Sequence, residues 1–120
     1  MKYADSIAAA LPSAKVDALL CVHAEGLPGL NVRYLSGFTG SSAAVLIGSR
    51  HRVLFTDGRY QDQVVSECMD WEARITRAGE SFPDVISEHC RQRGLGRVGY
   101  EPEGITAGML SALIGAGGVN

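Results

Sequence analysis

The chain has 120 residues, 46% hydrophobic and 20% charged, with 11 Lys and Arg against 13 Asp and Glu and a formal net charge of −2. That is the balance of one globular domain with a core of its own, short for a two-lobed enzyme. A slightly acidic charge supplies no electrostatic reason for nucleic acid or an anionic membrane as partner, no apolar run approaches the ~18 residues of a membrane span, and the N-terminal stretch, broken by Asp5 and Pro12, makes a poor signal peptide.

Residues 3–11 read as a short Ala-rich helix stopped by Pro12. "DALLCV" (17–22) is a continuous apolar run of strand length, as expected of a strand covered on both faces. A Gly/Pro-containing loop, "HAEGLPG", leads into "NVRYLSGF", read as a strand entering the sheet edge. "AAVLIG" and "RVLFT", separated by "SRH", have the spacing of a β-hairpin. In "RYQDQVVSEC", Tyr60, Val64 and Cys68 fall at i, i+4, i+8, one stripe of a helix.

"WEARI" is a further strand. "SFPDVISEHCRQRG" is the plainest helix, with Ser81 as its cap, Pro83 and Asp84 in its first turn, Gly94 at its end, and Phe82, Val85, Ile86, His89 and Cys90 as its apolar stripe. "RVGYE" is a short strand, and "ITAGMLSALIG" a last helix with Thr106 as cap and Ile105 placed to staple onto Leu110. The predicted order, α-β-(β)-β-β-α-β-α-β-α, describes an α/β domain on a mixed sheet whose central hairpin is antiparallel, flanked by helices. The domain is expected over residues 1–114, with "GAGGVN" (115–120) as the start of a linker.

Chemistry-bearing constellations are missing. Cys21, Cys68 and Cys90 are odd in number, widely spaced and set among apolar neighbours, which reads as buried free thiols in a reducing cytoplasm. His23, His51 and His89 show no metal-ligand spacing. His89 is expected to be packed and hydrogen-bonded in its helix stripe, and His51, in the hairpin turn, to be solvated. Ser41 and Ser42 lack the G-x-S-x-G context of a nucleophile, and "SGFTGSS" is no phosphate-binding motif. Asp57 with Asp62, and Glu101 with Glu103, read as caps and solvated faces rather than as catalytic pairs. No catalytic or metal-binding residue is assigned on this chain.

Two tightly written turns remain, "YLSGFTGSS" and "FTDGRY", on either side of the hairpin. Together they closely resemble the N-terminal domain of the creatinase/prolidase/aminopeptidase P group of metallopeptidases, and among its branches bacterial Xaa-Pro peptidases. Asn31, Tyr34, Leu35, Gly37, Phe38, Gly40, Ser41, Thr56, Asp57, Arg59 and Tyr60 match that family's wording, with "VDALL" ahead and "VGYEPEGIT" behind also in place.

The resemblance implies a ribonuclease H-like α/β fold and a two-domain parent. The parent's C-terminal "pita-bread" domain would hold two divalent ions (Mn, Co or Zn) on two Asp, one His and two Glu, and cleave the bond before proline. The present domain would be non-catalytic, packing against its own catalytic domain and, in a cytoplasmic homodimer, helping to wall the neighbouring active site against a proline-containing peptide.

On that footing Asn31, Arg33, Tyr34, Phe38 and Arg59 are the substrate-contact or interface candidates, and Gly37, Gly40, Ser41, Asp57, Gly58 and Tyr60 form the structural motif. Gly37 and Gly40 allow a tight turn. Phe38 is either a core anchor or an exposed apolar lip. Asp57 is the natural helix cap and Gly58 the permissive turn residue. Arg59 forks onto an internal acid such as Asp57 or onto a peptide's terminal carboxylate. Tyr60 begins the apolar stripe. The same scaffold implies two alternatives: a creatinase-like amidinohydrolase, or a non-enzymatic protein-binding module as in the large subunit of the FACT histone chaperone.

Overall fold

Residue parity along the central strands decides the architecture. On β2 (Ala43–Gly48) every residue is buried: Ala44 and Leu46 join one hydrophobic cluster, Ala43, Val45 and Ile47 the other. β1 (Ala18–His23) and β3 (Arg52–Asp57) divide in the same way, with Leu20 and Phe55 on one side and Cys21 and Leu54 on the opposite one. A strand that is apolar on both of its faces needs a layer of helices on each, and the chain supplies both. The structure, a computed structural model, describes residues 2–23, 30–40, 42–101 and 105–115.

One face is covered by α1 (Lys2–Ala14), α2 (Leu30–Ser36) and α3 (Gln61–Glu67), the other by α4 (Phe82–Arg93) and α5 (Ala107–Gly115). β4 (Glu72–Thr76) and β5 (Val98–Tyr100) complete a five-stranded sheet of order β4-β3-β2-β1-β5. β2 runs antiparallel to both β1 and β3, whereas β4 lies parallel to β3 and β5 parallel to β1. The mixed sheet with a central antiparallel hairpin, flanked by helices, is the expected one.

Helix α4 is built as its residues dictate. Ser81 Oγ accepts from the Asp84 amide at 3.3 Å, and Gly94 closes the helix in the left-handed region at φ 68°. Thr106 Oγ1 likewise accepts from the Met109 amide at 3.1 Å to start α5. That helix reaches Gly115, the first residue of the expected linker, and residues 116–120 lie outside the described residues.

Two elements differ from expectation. "NVRYLSGF" is no strand: it contributes the helix α2, because Val32, Leu35 and Ser36 are buried while Arg33 and Tyr34 between them are exposed, a period of three to four rather than two. Helix α1 also continues past Pro12 to Ala14. A proline in the last turn withdraws a single amide from the ladder, and the end is closed by a Schellman-type pair, Lys15 N–H to Pro12 O at 3.1 Å and Val16 N–H to Leu11 O at 3.3 Å, with Lys15 at φ 60°.

Candidate functional site

The two motif turns meet at one end of the β2–β3 hairpin. α2 stops at Gly37, whose φ of +81° favours glycine and whose amide donates to Arg33 O at 2.7 Å. Buried Ser36 seals this end twice, donating from Oγ to Val32 O at 2.6 Å and accepting from the Phe38 amide at 3.1 Å. Phe38 is thereby turned inward and is 1% exposed. Of its two readings it is the core anchor, and it offers no surface to a substrate.

Tyr60 meets Phe38 edge to face, centroids 5.5 Å apart. Gly40 lies against both rings, and a Cβ there would come within 2.5 Å of Phe38 Cζ and 3.0 Å of Tyr60 Cδ1. Gly40 is therefore required by close approach. Ser41 lies outside the described residues.

The second turn opens where β3 ends. Thr56 is buried, and its Oγ1 donates to Ser42 O at 2.7 Å, tying the end of β3 to the start of β2. Asp57 caps the following 3-10 turn (Gly58–Tyr60), its Oδ1 accepting from the Arg59 amide at 3.0 Å. The Arg59 fork closes on the same carboxylate, Nε to Oδ1 and Nη2 to Oδ2, both at 2.9 Å. This bidentate hydrogen bonding is the main reason the Asp57 carboxyl is held below its ordinary pKa, against the opposing effect of burial. The Arg59 guanidinium carbon lies 5.0 Å from the Tyr60 ring centroid, so the fork is braced on the ring that packs against Phe38.

Gly58 departs from its expected role. It is not at positive φ, and a Cβ there would meet nothing within 4 Å, because a 3-10 turn needs no left-handed residue at its first position.

A third connection was not legible as a motif. The Thr39 amide and hydroxyl both donate to Glu67 of α3, at 2.9 Å to Oε1 and 2.9 Å to Oε2, and Gln63 Nε2 donates to Thr39 Oγ1 at 2.7 Å and to Glu67 Oε1 at 3.2 Å. The Thr39 amide bond leads the causes that lower the Glu67 pKa, with Arg33 as a distant positive charge. The i, i+4 spacing of Gln63 and Glu67 puts them on one helix face, but only the fold brings Thr39 there.

Arg33 and Tyr34 stand on the outer face of α2, Tyr34 59% exposed beside an apolar groove of about 340 Å³ lined by Ile7, Leu19, Cys21, Leu35 and Glu101. Asn31 belongs to the same helix. So the fold joins Phe38, Gly40, Asp57, Arg59 and Tyr60 in one packed unit and leaves Arg33 and Tyr34 on an adjoining surface. Asp62 is exposed in the first turn of α3 and has no role in the Asp57 clasp, while Glu103 lies outside the described residues. Among the described residues no three His, Cys, Asp or Glu side chains are placed to hold a metal, and no helix is long and apolar enough to cross a membrane. All three cysteines are buried free thiols.

The two histidines depart from expectation. His51 is half-buried rather than fully solvated: its Nε2 is buried without a hydrogen-bond partner among the described residues. His89 is packed as expected, but its Nε2 is equally unpartnered. The hairpin turn folds back over Gly48 and carries His51 to α4, where the two rings lie 5.5 Å apart.

Residues 4–119 match the model of the creatinase/prolidase N-terminal domain. The chain belongs to that family. It is similar to the N-terminal domain of the cytoplasmic peptidase PepQ from Mycobacterium tuberculosis, at 37% identity over 96% of this chain and 84% of that one, with a TM-score of 0.79. It also resembles an X-Pro aminopeptidase from Thermotoga maritima, at 30% identity and a TM-score of 0.80, covering 88% of this chain and 30% of that enzyme. Peptidase YqhT of Bacillus subtilis is 32% identical over 68% of this chain, which spans only 23% of its length. The domain is thus of the kind found at the N-terminus of Xaa-Pro peptidases, and its family's N-terminal domain alone accounts for the match.

Proposed function

We propose that this chain is the non-catalytic N-terminal domain of a cytoplasmic Xaa-Pro metallopeptidase, a proline dipeptidase or aminopeptidase P, and that it contributes to dimerisation and to the wall of the active site. The observation that carries this reading is the exposed α2 surface next to a packed motif. The turn residues pack on one another, and α2 carries Arg33 and Tyr34 on its exposed side, Tyr34 lining an apolar groove. An exposed aromatic bordering such a groove, with an exposed arginine next to it in the chain, is the kind of residue enriched where protein surfaces meet.

In this reading the chemistry belongs to a catalytic domain that supplies the ligands for two divalent ions, Mn, Co or Zn, which would polarise the scissile carbonyl and activate water. The present residues act by positioning. The Phe38–Tyr60 contact and the Thr39–Glu67 bonds hold α2 rigidly on the sheet, so that Arg33 and Tyr34 are presented without a large ordering cost. Arg59 serves as a brace, since its Nε and Nη2 are engaged by Asp57. The similarity to a cytoplasmic peptidase and the three buried thiols support the compartment.

The test compares full-length protein and isolated domain for hydrolysis of Xaa-Pro dipeptides with added manganese or cobalt, together with the molar mass of each in solution. The expected result is activity in the full-length protein only. Within it, the Arg33→Ala, Tyr34→Ala double variant should raise KM or weaken the dimer while kcat per intact site changes little. No cleavage by the full-length protein would overturn the peptidase assignment and favour a creatinase-like enzyme or a binding module. Unchanged KM and unchanged mass in the double variant would remove α2 from the contact surface.

A further inference from the structure

At the end of the hairpin opposite the motif turns, the connection from β2 to β3 is the three residues Ser49, Arg50 and His51, closed by the Gly48 amide donating to His51 O at 2.9 Å. The His51 ring folds back over Gly48, where a Cβ would overlap it. Ala44, Leu46, Val53 and Phe55 of the same hairpin face α4 and α5, so position 48, two residues beyond Leu46, lies on that side as well.

His89 comes up from α4 to meet it. The two imidazole centroids are 5.5 Å apart and tilted by 47°, and His89 also stands edge-on to Phe55 at 5.7 Å. His89 is 8% exposed, and the Nε2 atoms of both rings are buried with no hydrogen-bond partner among the described residues.

Arg50 and Asp70 line a cavity with His51, and Arg74, Glu80 and Asp84 line one with His89. Glu72 of β4 and Arg93 of α4 flank the pair, and Arg93 donates to Glu72 Oε1 at 3.1 Å. Arg52, next in the chain to His51, is paired with Asp5 of α1. Glu88, adjacent to His89 on α4, is paired with Arg91 and accepts from Gln92. The Glu72 carboxylate is therefore already engaged by a guanidinium, and Arg93 opposes a positive charge on either ring.

We propose that His51 and His89 form an acid-released latch, in which the two neutral rings hold the β2–β3 turn against α4 and protonation frees the turn. A neutral ring with one unpartnered nitrogen loses less solvation here than a charged one. A charged one would lose far more solvation, beside a second imidazole and a guanidinium, and the Glu72 carboxylate that favours the charge is already shared with Arg93. Loss of solvation on burial is also the first cause that lowers the pKa of each ring, with Arg93 acting in the same direction.

The sign follows from linkage. A histidine depressed in the folded state binds its proton more readily when released, so the closed latch is intact above the ordinary imidazole value of about 6.5 and opens as pH falls below it. This device is independent of the peptidase reading, because it acts at the end of the hairpin away from α2.

The experiment is an NMR titration of the imidazole nitrogens of the chain from pH 8 to 5, with amide exchange of residues 48–52 measured alongside and corrected for its intrinsic pH dependence. Both rings should titrate below about 6.5, and the corrected opening of the turn should rise about tenfold per unit of pH as one proton is taken up. In His89→Phe, which keeps an aromatic ring against Phe55, and in His51→Gln, that rise should shrink, and in the double variant it should vanish. Should a variant fail to fold, the wild-type titration still decides. Either ring titrating at or above 6.5, or turn exchange that ignores pH, would overturn the latch. Saturable stoichiometric binding of zinc by the two rings at pH 7.5 would overturn it as well, making the pair a metal chelate instead.

Discussion

Phe38 and Tyr60 stand perpendicular, their planes at 90° and their centroids 5.5 Å apart, although they belong to different turns of the chain. This contact turns two sequence motifs into one structural unit. It also makes Gly40, pressed against both rings, intolerant of a side chain.

Gly40→Ala should therefore lower stability by about 1–3 kcal/mol, as overpacking of a filled site does. Phe38 is buried and cannot swing away to solvent. Gly58→Ala is the matched control, since a Cβ there meets nothing within 4 Å, and its effect should stay within about 0.5 kcal/mol. Urea unfolding midpoints of the two variants check the pair, and equal losses at both positions would refute the close-approach explanation.

The Asp57–Arg59 clasp should leave a signature in acid. The Asp57 carboxyl is lowered chiefly by the Arg59 hydrogen bonds, so its contribution to stability is complete above the unfolded value of about 3.9 and is lost as pH falls through the lower folded value. Asp57→Asn keeps a capping acceptor and removes the charge. Because Arg59 is more than half exposed, the cost at pH 7 should be no more than about 1 kcal/mol. The loss of stability between pH 4 and 2.5 should be smaller in the variant than in the parent, since Glu67, Glu80 and Glu88 are lowered in both. Parallel acid profiles would show that the clasp contributes nothing.

Lys15 is the single described non-glycine residue at positive φ, closing α1 at 60°. Lys15→Gly relieves a left-handed conformation that costs an L residue roughly 1–2 kcal/mol, while adding chain entropy to the unfolded state. A net gain of about 0.5–1 kcal/mol is expected. A lower urea midpoint in the variant would mean that Lys15 holds its place through contacts of its side chain.

The three thiols should be inert in the folded chain. Burial pushes Cys21 up to about 12 and both Cys68 and Cys90 up to about 11, with Glu101 adding to the effect at Cys21. A thiol reagent at pH 8 should titrate almost none of the three in the native protein and all of them in denaturant. One fast-reacting equivalent in the native state would contradict the packing described for that cysteine.

Most of the architecture was written in local pattern. The apolar runs of β1, β2 and β3, the Ser81 and Gly94 caps of α4 and the Asp57 cap are short-range signals, set by propensity and by backbone groups that need a nearby partner. The two turn motifs identified the family from the residues alone.

Tertiary packing decided the rest. It made "LNVRYLS" a helix, because a seven-residue segment has too few turns for its period to outweigh Val and Tyr propensities until Val32 and Leu35 find the sheet. It turned Phe38 inward, it brought Thr39 to Glu67, 28 residues away in the chain, and it set His51 against His89 across a hairpin and a helix. Sequence alone determines where hydrogen bonds and apolar faces of neighbouring residues can form. Which distant side chain fills the remaining space depends on how the layers close, since a single residue's preference is small beside the packing of a whole face.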